Sequence, residues 1–447
     1  MAYRVSFFKL AHEFWNSWWI DTLAYAFKSA GHEVDVVPIY ANDEAFSLFS
    51  RVKKFKADII VSQNAFIFDP ATKMGPELEH IISDSNIPVL YWYTDYPDSG
   101  SIESQLRWRS PSLPKNSVFI VADPTHEFFF KDRSLPVHYI HGGIDERLKD
   151  FRADPILIQE LKCDISFVGG IYWLEEAGFS LKNPDQVPAL FAFNGAKSFY
   201  KILSKDIFLD ACKKMLSDDL FLEIEKNKSS IKENIRKLQF LLECFYRSNL
   251  TTAEDYCLAV KNLYGVISEN FGSSLSKILE LYAQRFATDY SIVQMIKYLR
   301  EMEPLGLKVF GPQGWTQILP NGGASKCRML HGSETINLYA ASKIVFSHQK
   351  WQFTYCLHER EFLAGAVGTM PLVNYREAAE ELFEPGDLVT WKTIEEAKDL
   401  AVYYLKNEIL RKQKAERMRS RLFERHTWTH RVKKAVSYIE SDLGMKQ

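Results

Sequence analysis

The chain has 447 residues, 46% of them hydrophobic and 25% charged, which makes room for two to three folded domains. Lys+Arg 55 against Asp+Glu 57 leaves a net charge of -2, so no whole-chain basic excess draws it to nucleic acid or an anionic membrane. An aromatic content of 14% with only Gly 21 and Pro 17 excludes a disordered or fibrous chain.

From Tyr3 to about Asp145, short apolar runs alternate with amphipathic stretches, the pattern of a parallel sheet covered by helices. Strands are expected at Tyr3–Phe8, Glu33–Ile39, Asp58–Val61, Val89–Tyr93, Val118–Ala122 and Val137–Ile140. A helix over Asp21–Ala30 ends at Gly31, a residue that accepts the left-handed conformation cheaply. A second β/α region begins at Cys163–Gly170 and resumes at Leu307–Gly311. Most of the interval is helical by pattern, at Ser230–Arg247, Ala253–Glu269 and Leu275–Arg300, and reads as an insertion over about residues 173–300. Strands follow at Lys343–Ser347, Met370–Asn374 and Leu388–Thr390, then helices from Ile394 onward.

The six cysteines are scattered, with no CxxC pair and no His at ligand spacing, so buried reduced thiols are expected and no metal site. No run of about 18 uncharged apolar residues and no cleavable leader at Met1–Lys9 are present, which predicts a cytoplasmic protein without a membrane span.

Open α/β sheets bind ligands at the carboxyl ends of their strands, so the loops there are the candidate sites. In the first region they hold His12-Glu13, Gln63-Asn64 and Thr94-Asp95-Tyr96-Pro97. In the second they hold Gly169-Gly170, Gly311–Trp315, Ser347-His348-Gln349 and the stretch from Leu357 through Gly368. Asp95 follows the apolar run Val89–Tyr93, where a carboxylate could act as general base; the same residue also suits a helix cap or an Asp-x-Pro turn. His12 is a second candidate base, or a cap. Gly169-Gly170 would let backbone approach a phosphate, and because no Lys or Arg follows within ten residues, the counter-charge must come from Arg360 or Arg285. Arg285 also reads as a solvated helix residue. There is no GxxxxGK[ST] loop, HExxH helix, GxGxxG turn, Gly-x-Ser-x-Gly elbow or Asp-x-Asp pair, which argues for a two-domain enzyme that needs no metal or cofactor.

Leu357-His358-Glu359-Arg360-Glu361-Phe362 through Gly368, Leu382–Gly386, Tyr403-Tyr404-Leu405 and Arg425-His426-Thr427-Trp428-Thr429-His430-Arg431 resemble the C-terminal half of the CgeB-like glycosyltransferases. Tyr91–Pro97, His141-Gly142-Gly143-Ile144-Asp145, Cys163–Gly170, Val309–Trp315 and Asn337–Lys343 are similar to further segments of that family, in order and spacing, over about two thirds of the chain. The resemblance implies a GT-B fold: two Rossmann-like domains facing a central cleft, with a helical insertion in the C-terminal domain. The domains would be residues 1–150, on the acceptor side, and 151–425, on the nucleotide-sugar side, with a helix over 426–447 crossing back to the first. The activity implied is transfer of a sugar from a nucleotide-diphosphate sugar, a UDP-sugar first, to an acceptor that could be a glycan, protein, small molecule or nucleic acid. Arg360 would contact the donor phosphates, Gly169 and Gly170 would face them, and Gly311, Pro312 and Trp315 would line the base pocket. His358, Glu361 and Gly368 belong to the same donor-side stretch.

One departure stands out. Related enzymes place a ribose-binding Glu five residues before the glycine matching Gly368, where this sequence has Leu363, and Glu361 on a helix would face elsewhere. A non-catalytic GT-B-like scaffold, which Leu363 supports, and a DNA-modifying glycosyltransferase, since some DNA-modifying glucosyltransferases share this fold, are the competing readings.

Overall fold

The computed structural model describes residues 2–10, 14–40, 43–63, 75–94, 116–127, 135–170, 294–312, 314–319, 329–330, 332–349, 353 and 355–445. They form two compact units: Met1–Arg152 with Tyr355–Val367 and Arg417–Gln447, and Ala153–Thr354 with Gly368–Glu416.

The first unit holds a six-stranded parallel sheet of β1 (Arg4–Leu10), β2 (Glu33–Ile39), β3 (Ile59–Gln63), β4 (Val89–Trp92), β5 (Ser117–Val121) and β6 (Val137–Tyr139), in the order β2-β1-β3-β4-β5-β6. Its central strands are apolar on both faces, as strands covered by helices on two sides must be. One face, with Val5, Phe7, Ile59, Val61, Leu90, Trp92, Val118 and Ile120, packs on α1 (Phe14–Ser29) and the C-terminal helix. The other, with Phe8, Ile60, Val89, Tyr91, Phe119 and Val121, packs on α2 (Ala45–Phe55) and α3 (Gly75–Ser85). Gly31 closes α1 as expected: φ is +95°, its N–H donates to Lys28 O and that of His32 to Phe27 O. The helix starts seven residues earlier than its apolar spacing suggests. Trp19, Ile20, Leu23, Ala24 and Phe27 form one buried stripe, with no proline or glycine upstream to stop it.

The second unit contains α4 (Pro155–Leu161), β7 (Cys163–Val168), a helical segment at 294–302, β8 (Leu307–Phe310), α5 (Trp315–Ile318), α6 (Ser333–Ala341), β9 (Ser342–Ser347), β10 (Met370–Asn374), α8 (Ala378–Leu382), β11 (Val389–Trp391) and α9 (Ile394–Lys406). Between β9 and β10 the chain forms α7 (Glu359–Ala366), which belongs to the first unit. The strands are parallel in the order β11-β10-β9-β7-β8. Asp154 caps α4 through Ile156 N–H and Leu157 N–H, with Pro155 as the first helical residue, where its missing N–H does no harm. The core on one face joins Ile165, Phe167, Val309, Ile344, Phe346, Leu372 and Trp391 to Met295, Leu299, Trp315, Ala397 and Ala401. Two parallel sheets with flanking helices make the architecture the expected GT-B class of paired Rossmann-like folds. The expected insertion over 173–300 lies outside the described residues except for 294–300, which are helical.

The chain continues through α10 (Glu408–Arg425) into α11 (Trp428–Asp442). Thr427 caps α11 in a capping box, its side chain accepting from His430 N–H. Val432, Ala435, Val436 and Ile439 of α11 lie in the same core as α1.

His32 gives this unit a pH dependence. Its Nδ1 accepts the Tyr3 N–H at 3.1 Å, and its ring lies 5.8 Å from Tyr3 and 5.6 Å from Phe27. Burial, the largest cause, holds its pKa below the ordinary value of about 6.5. The folded state therefore binds fewer protons than the unfolded state as pH falls through that value, and stability present above it is lost below. The melting temperature of the wild type should drop between pH 7.5 and 5 by more than that of His32→Asn, whose amide oxygen keeps the acceptor without titrating. Equal drops would show that His32 does not carry the dependence.

Candidate functional site

In both sheets the strand order reverses once. Helical connections leave in opposite directions from β1 and β3 in the first unit and from β7 and β9 in the second, and such switch points open a crevice at the carboxyl ends of the strands. In the second unit, Gly169-Gly170 follow β7, and His348-Gln349 follow Ser347, the last residue of β9.

At the second switch point the backbone is packed as tightly as it can be. The Gly169 N–H donates to Phe310 O at 3.1 Å, and the Gly169 carbonyl accepts the Trp315 indole N–H at 2.9 Å. A Cβ on Gly311 would lie 2.2 Å from that carbonyl oxygen and 2.9 Å from the indole nitrogen, so only glycine fits there. Trp315, expected to line a base pocket, is instead wholly buried, edge-on to Phe167 at 6.3 Å. The Gly169 amide is engaged in the sheet, and Gly170, half-buried like Gly169, follows it. Pro312 is buried beside Gly311.

Along the same edge, Asn374 Oδ1 accepts the Gln349 N–H at 2.9 Å, and His348 stacks on Trp391 at 6.2 Å. Arg376 is 6% exposed and donates to the carbonyls of Phe353, Tyr375 and Gln349. A buried guanidinium satisfied by backbone carbonyls fixes the course of the chain after β9. Nothing in the sequence around Arg376 marks it for this role, because its partners are backbone groups up to 27 residues away.

In the first unit the carboxyl ends of β5 and β6 gather polar groups that sequence patterns did not single out. Asp123 is fully buried, and its Oδ2 accepts the N–H groups of Tyr355 at 2.8 Å and Cys356 at 3.0 Å. Tyr139 hydrogen-bonds His141 and meets Tyr355 edge-on at 5.9 Å. His126 is buried in the turn Pro124–Glu127. The segment that Asp123 and Tyr139 hold runs directly into α7, where His358 is the N-cap: its Nδ1 accepts the Arg360 N–H at 3.2 Å, and its carbonyl accepts the Glu361 N–H at 3.2 Å. Phe362 lies against Gly142, and the Ala366 carbonyl at the helix end accepts from Arg419 Nε at 3.0 Å. Helix α7 is thus held at its entry, middle and exit.

The family-like motifs His141–Asp145 and His426–Arg431 meet in this unit. The Ile144 N–H donates to His426 O and the Trp428 N–H to Ile144 O, both at 2.9 Å. Arg431 Nε donates to Gly142 O at 2.9 Å, and Glu146 accepts the Thr429 N–H at 2.7 Å.

Of the residues singled out from the sequence, Gly169, Gly170, Gly311, Pro312 and Trp315 come together in the second unit, and His358, Arg360 and Glu361 share α7 in the first. Glu361 is wholly buried, and Leu363 is 9% exposed. Gly368 is not with the other glycines. It is exposed, has φ +82°, and precedes β10 at the amino edge of the sheet, so its conformation serves the turn out of α7. Asp95, His12 and Arg285 lie outside the described residues. Among the described residues no group of three or more His, Cys, Asp or Glu side chains is placed to share a metal ion, and no helix is long and apolar enough to cross a membrane.

A family model described as glycosyl transferase-like matches residues 291–437. No curated protein sequence matches the chain. Among solved structures, sucrose-phosphate synthase from Thermosynechococcus elongatus is similar at 9% identity and TM-score 0.51, over 99% of this chain and 100% of that one. An alpha-glucosyltransferase in complex with UDP and a 13-mer DNA is similar at 11% identity and TM-score 0.51, over 98% of this chain and 100% of that one. At these identities the likeness is one of fold alone.

Proposed function

We propose that the chain is a glycosyltransferase that moves a sugar from a nucleotide-diphosphate sugar to an acceptor hydroxyl or other nucleophile without a metal ion. The observation that carries this reading is α7. It lies inside the span that matches the glycosyl transferase-like family, its N-terminus is capped by His358, and Arg360 stands in its first turn. A helix N-terminus favours anions, and a guanidinium pairs with phosphate through a two-pronged fork. In the first unit Arg360 is the group we assign to a donor phosphate, where charge develops as the sugar leaves; in the second unit, taken by itself, the candidate phosphate contact is the Gly169-Gly170 turn. Because the Gly169 amide is engaged by Phe310, Gly170 is the member of the pair assigned to the phosphates. Gly311 and Trp315 act by holding that turn, with Pro312 beside them. A UDP-sugar is our first choice of donor, since one of the fold relatives was solved with UDP. If the reaction inverts, Asp95 is the proposed base, with His12 as the second choice.

The test is a thermal-shift panel of UDP-, GDP-, dTDP- and CDP-sugars on wild type and Arg360→Ala. A bound donor stabilises by about 2.7 kcal/mol at a hundredfold excess over its dissociation constant, and the shift should vanish in the variant. A shift that survives in Arg360→Ala would remove that residue from the donor site. Leu363 favours a second reading, a binding protein that keeps the fold without the ribose contact. Donor-dependent stabilisation without sugar transfer and without donor hydrolysis would select it.

A further inference from the structure

We propose that Asp123 is a positioning residue for the phosphate-binding end of α7. The proposal rests on the reading that α7 takes the donor phosphates, and it concerns the first unit alone. A carboxyl group that is 0% exposed needs partners to offset its desolvation. Asp123 finds two of them on one oxygen, the successive N–H groups of Tyr355 and Cys356. These are not groups of its own loop. Asp123 follows β5, whereas Tyr355 and Cys356 follow β9 by eight residues or more and precede the His358 cap by two or three.

The carboxyl therefore references the entry of α7 to the sheet of the first unit. Tyr139 supports the same segment from β6 by its edge contact with Tyr355. What lies immediately downstream is Leu357, 3% exposed, then the cap, then Arg360, whose own N–H is turned onto His358 Nδ1. Moving the 355–356 backbone would shift the cap and the first turn together, and groups that grip a phosphate tolerate displacements of well under about 1 Å. Asp123 is not assigned any contact with the donor.

The test uses the full chain in four forms: wild type, Arg360→Ala, Asp123→Ala and Asp123→Asn. Each is titrated calorimetrically with UDP, GDP, dTDP and CDP, well below its own melting temperature so that folded protein is compared with folded protein. An asparagine can set its amide oxygen where Oδ2 stands and accept both N–H groups; alanine accepts neither. Asp123→Ala should bind the preferred nucleotide at least about tenfold more weakly, a loss of about 1.4 kcal/mol, while Asp123→Asn stays within about threefold of wild type. A merely structural aspartate would lower the melting temperature and leave the affinity of the folded protein unchanged. If Asp123→Ala does not fold, Asp123→Ser replaces it under the same criterion, because its hydroxyl is too short to reach both N–H groups. Wild-type affinity in the alanine or serine variant overturns the proposal, and so does an asparagine variant as weak as alanine. If wild type binds none of the four nucleotides, the donor reading falls and this proposal with it. If wild type binds and only Arg360→Ala fails, the donor reading stands and this proposal alone is lost.

Discussion

Gly311→Ala should destabilise the second unit by about 3 to 5 kcal/mol, the sum of an overpacking strain and a lost buried hydrogen bond. The added methyl would lie 2.2 Å from the Gly169 carbonyl oxygen, and neither partner can yield cheaply. Gly169 is tied by its N–H to Phe310, the residue just before Gly311, so the ends of β7 and β8 are locked in register at the point of collision. Moving the Gly169 carbonyl breaks its bond from Trp315, and the indole N–H is then left unpaired in a core where the side chain is 0% exposed. Two comparison variants separate this clash from ordinary glycine effects. Gly31→Ala meets nothing within 4 Å and bears only the left-handed conformation, worth about 1 kcal/mol. Gly365→Ala would approach Leu422 and Met418 at 2.7 and 2.9 Å, but those atoms are the mobile ends of side chains that can shift. Denaturant unfolding of the three variants should rank Gly311→Ala far below the other two. A loss no larger than that of Gly31→Ala would show that the turn is looser than its packing implies.

This glycine illustrates what could be read in advance. The strands were legible because runs such as Val118–Val121 and Ile59–Val61 are apolar at every position, which two helical layers demand and a loop cannot tolerate. Gly31 was legible because a helix end needs the left-handed conformation locally. Gly311 was visible as a loop glycine, but its necessity comes from a carbonyl that lies far away in sequence, beyond the insertion. The same limit hid Asp123 and Arg376. The backbone N–H and C=O groups they bind are ones that every residue has and no spacing advertises. Trp315 was legible as an aromatic at a strand end, but whether an indole faces a ligand or the core depends on neighbours that only folding supplies, here Phe167 and Gly169. The start of α1 was missed because its apolar spacing is clearest from Trp19 to Phe27, whose burial fixes the helix on the sheet. His358, by contrast, could be seen as the residue before an acidic first turn, and it is the cap.

Trp428→Ala is expected to destabilise the first unit by about 3 to 5 kcal/mol, the range for deleting a buried tryptophan from a core that cannot collapse onto the cavity. The side chain is 5% exposed and forms a three-way edge-to-face cluster: Trp19 at 6.2 Å, Trp92 at 5.9 Å, and those two 6.0 Å from each other. Each such pair adds about 0.5 to 1.5 kcal/mol beyond its buried area, and the substitution removes two of the three. Collapse is hindered because the members sit on α1, β4 and the first residue of α11, each fixed by its own backbone bonds. The Trp428 N–H is held by the Ile144 carbonyl, and Gly143 approaches the indole so closely that a Cβ there would lie 3.1 Å away. Trp428→Phe keeps an edge-on ring and should lose about 1 to 2 kcal/mol, less than half as much. The ordering matters more than either value, because it distinguishes a ring that completes an aromatic cluster from one that only fills space. If denaturant unfolding finds alanine and phenylalanine equally harmful, the damage lies in the cap and bridge at Thr427–Trp428 and not in the cluster. If both are close to wild type, α11 is not anchored through this residue.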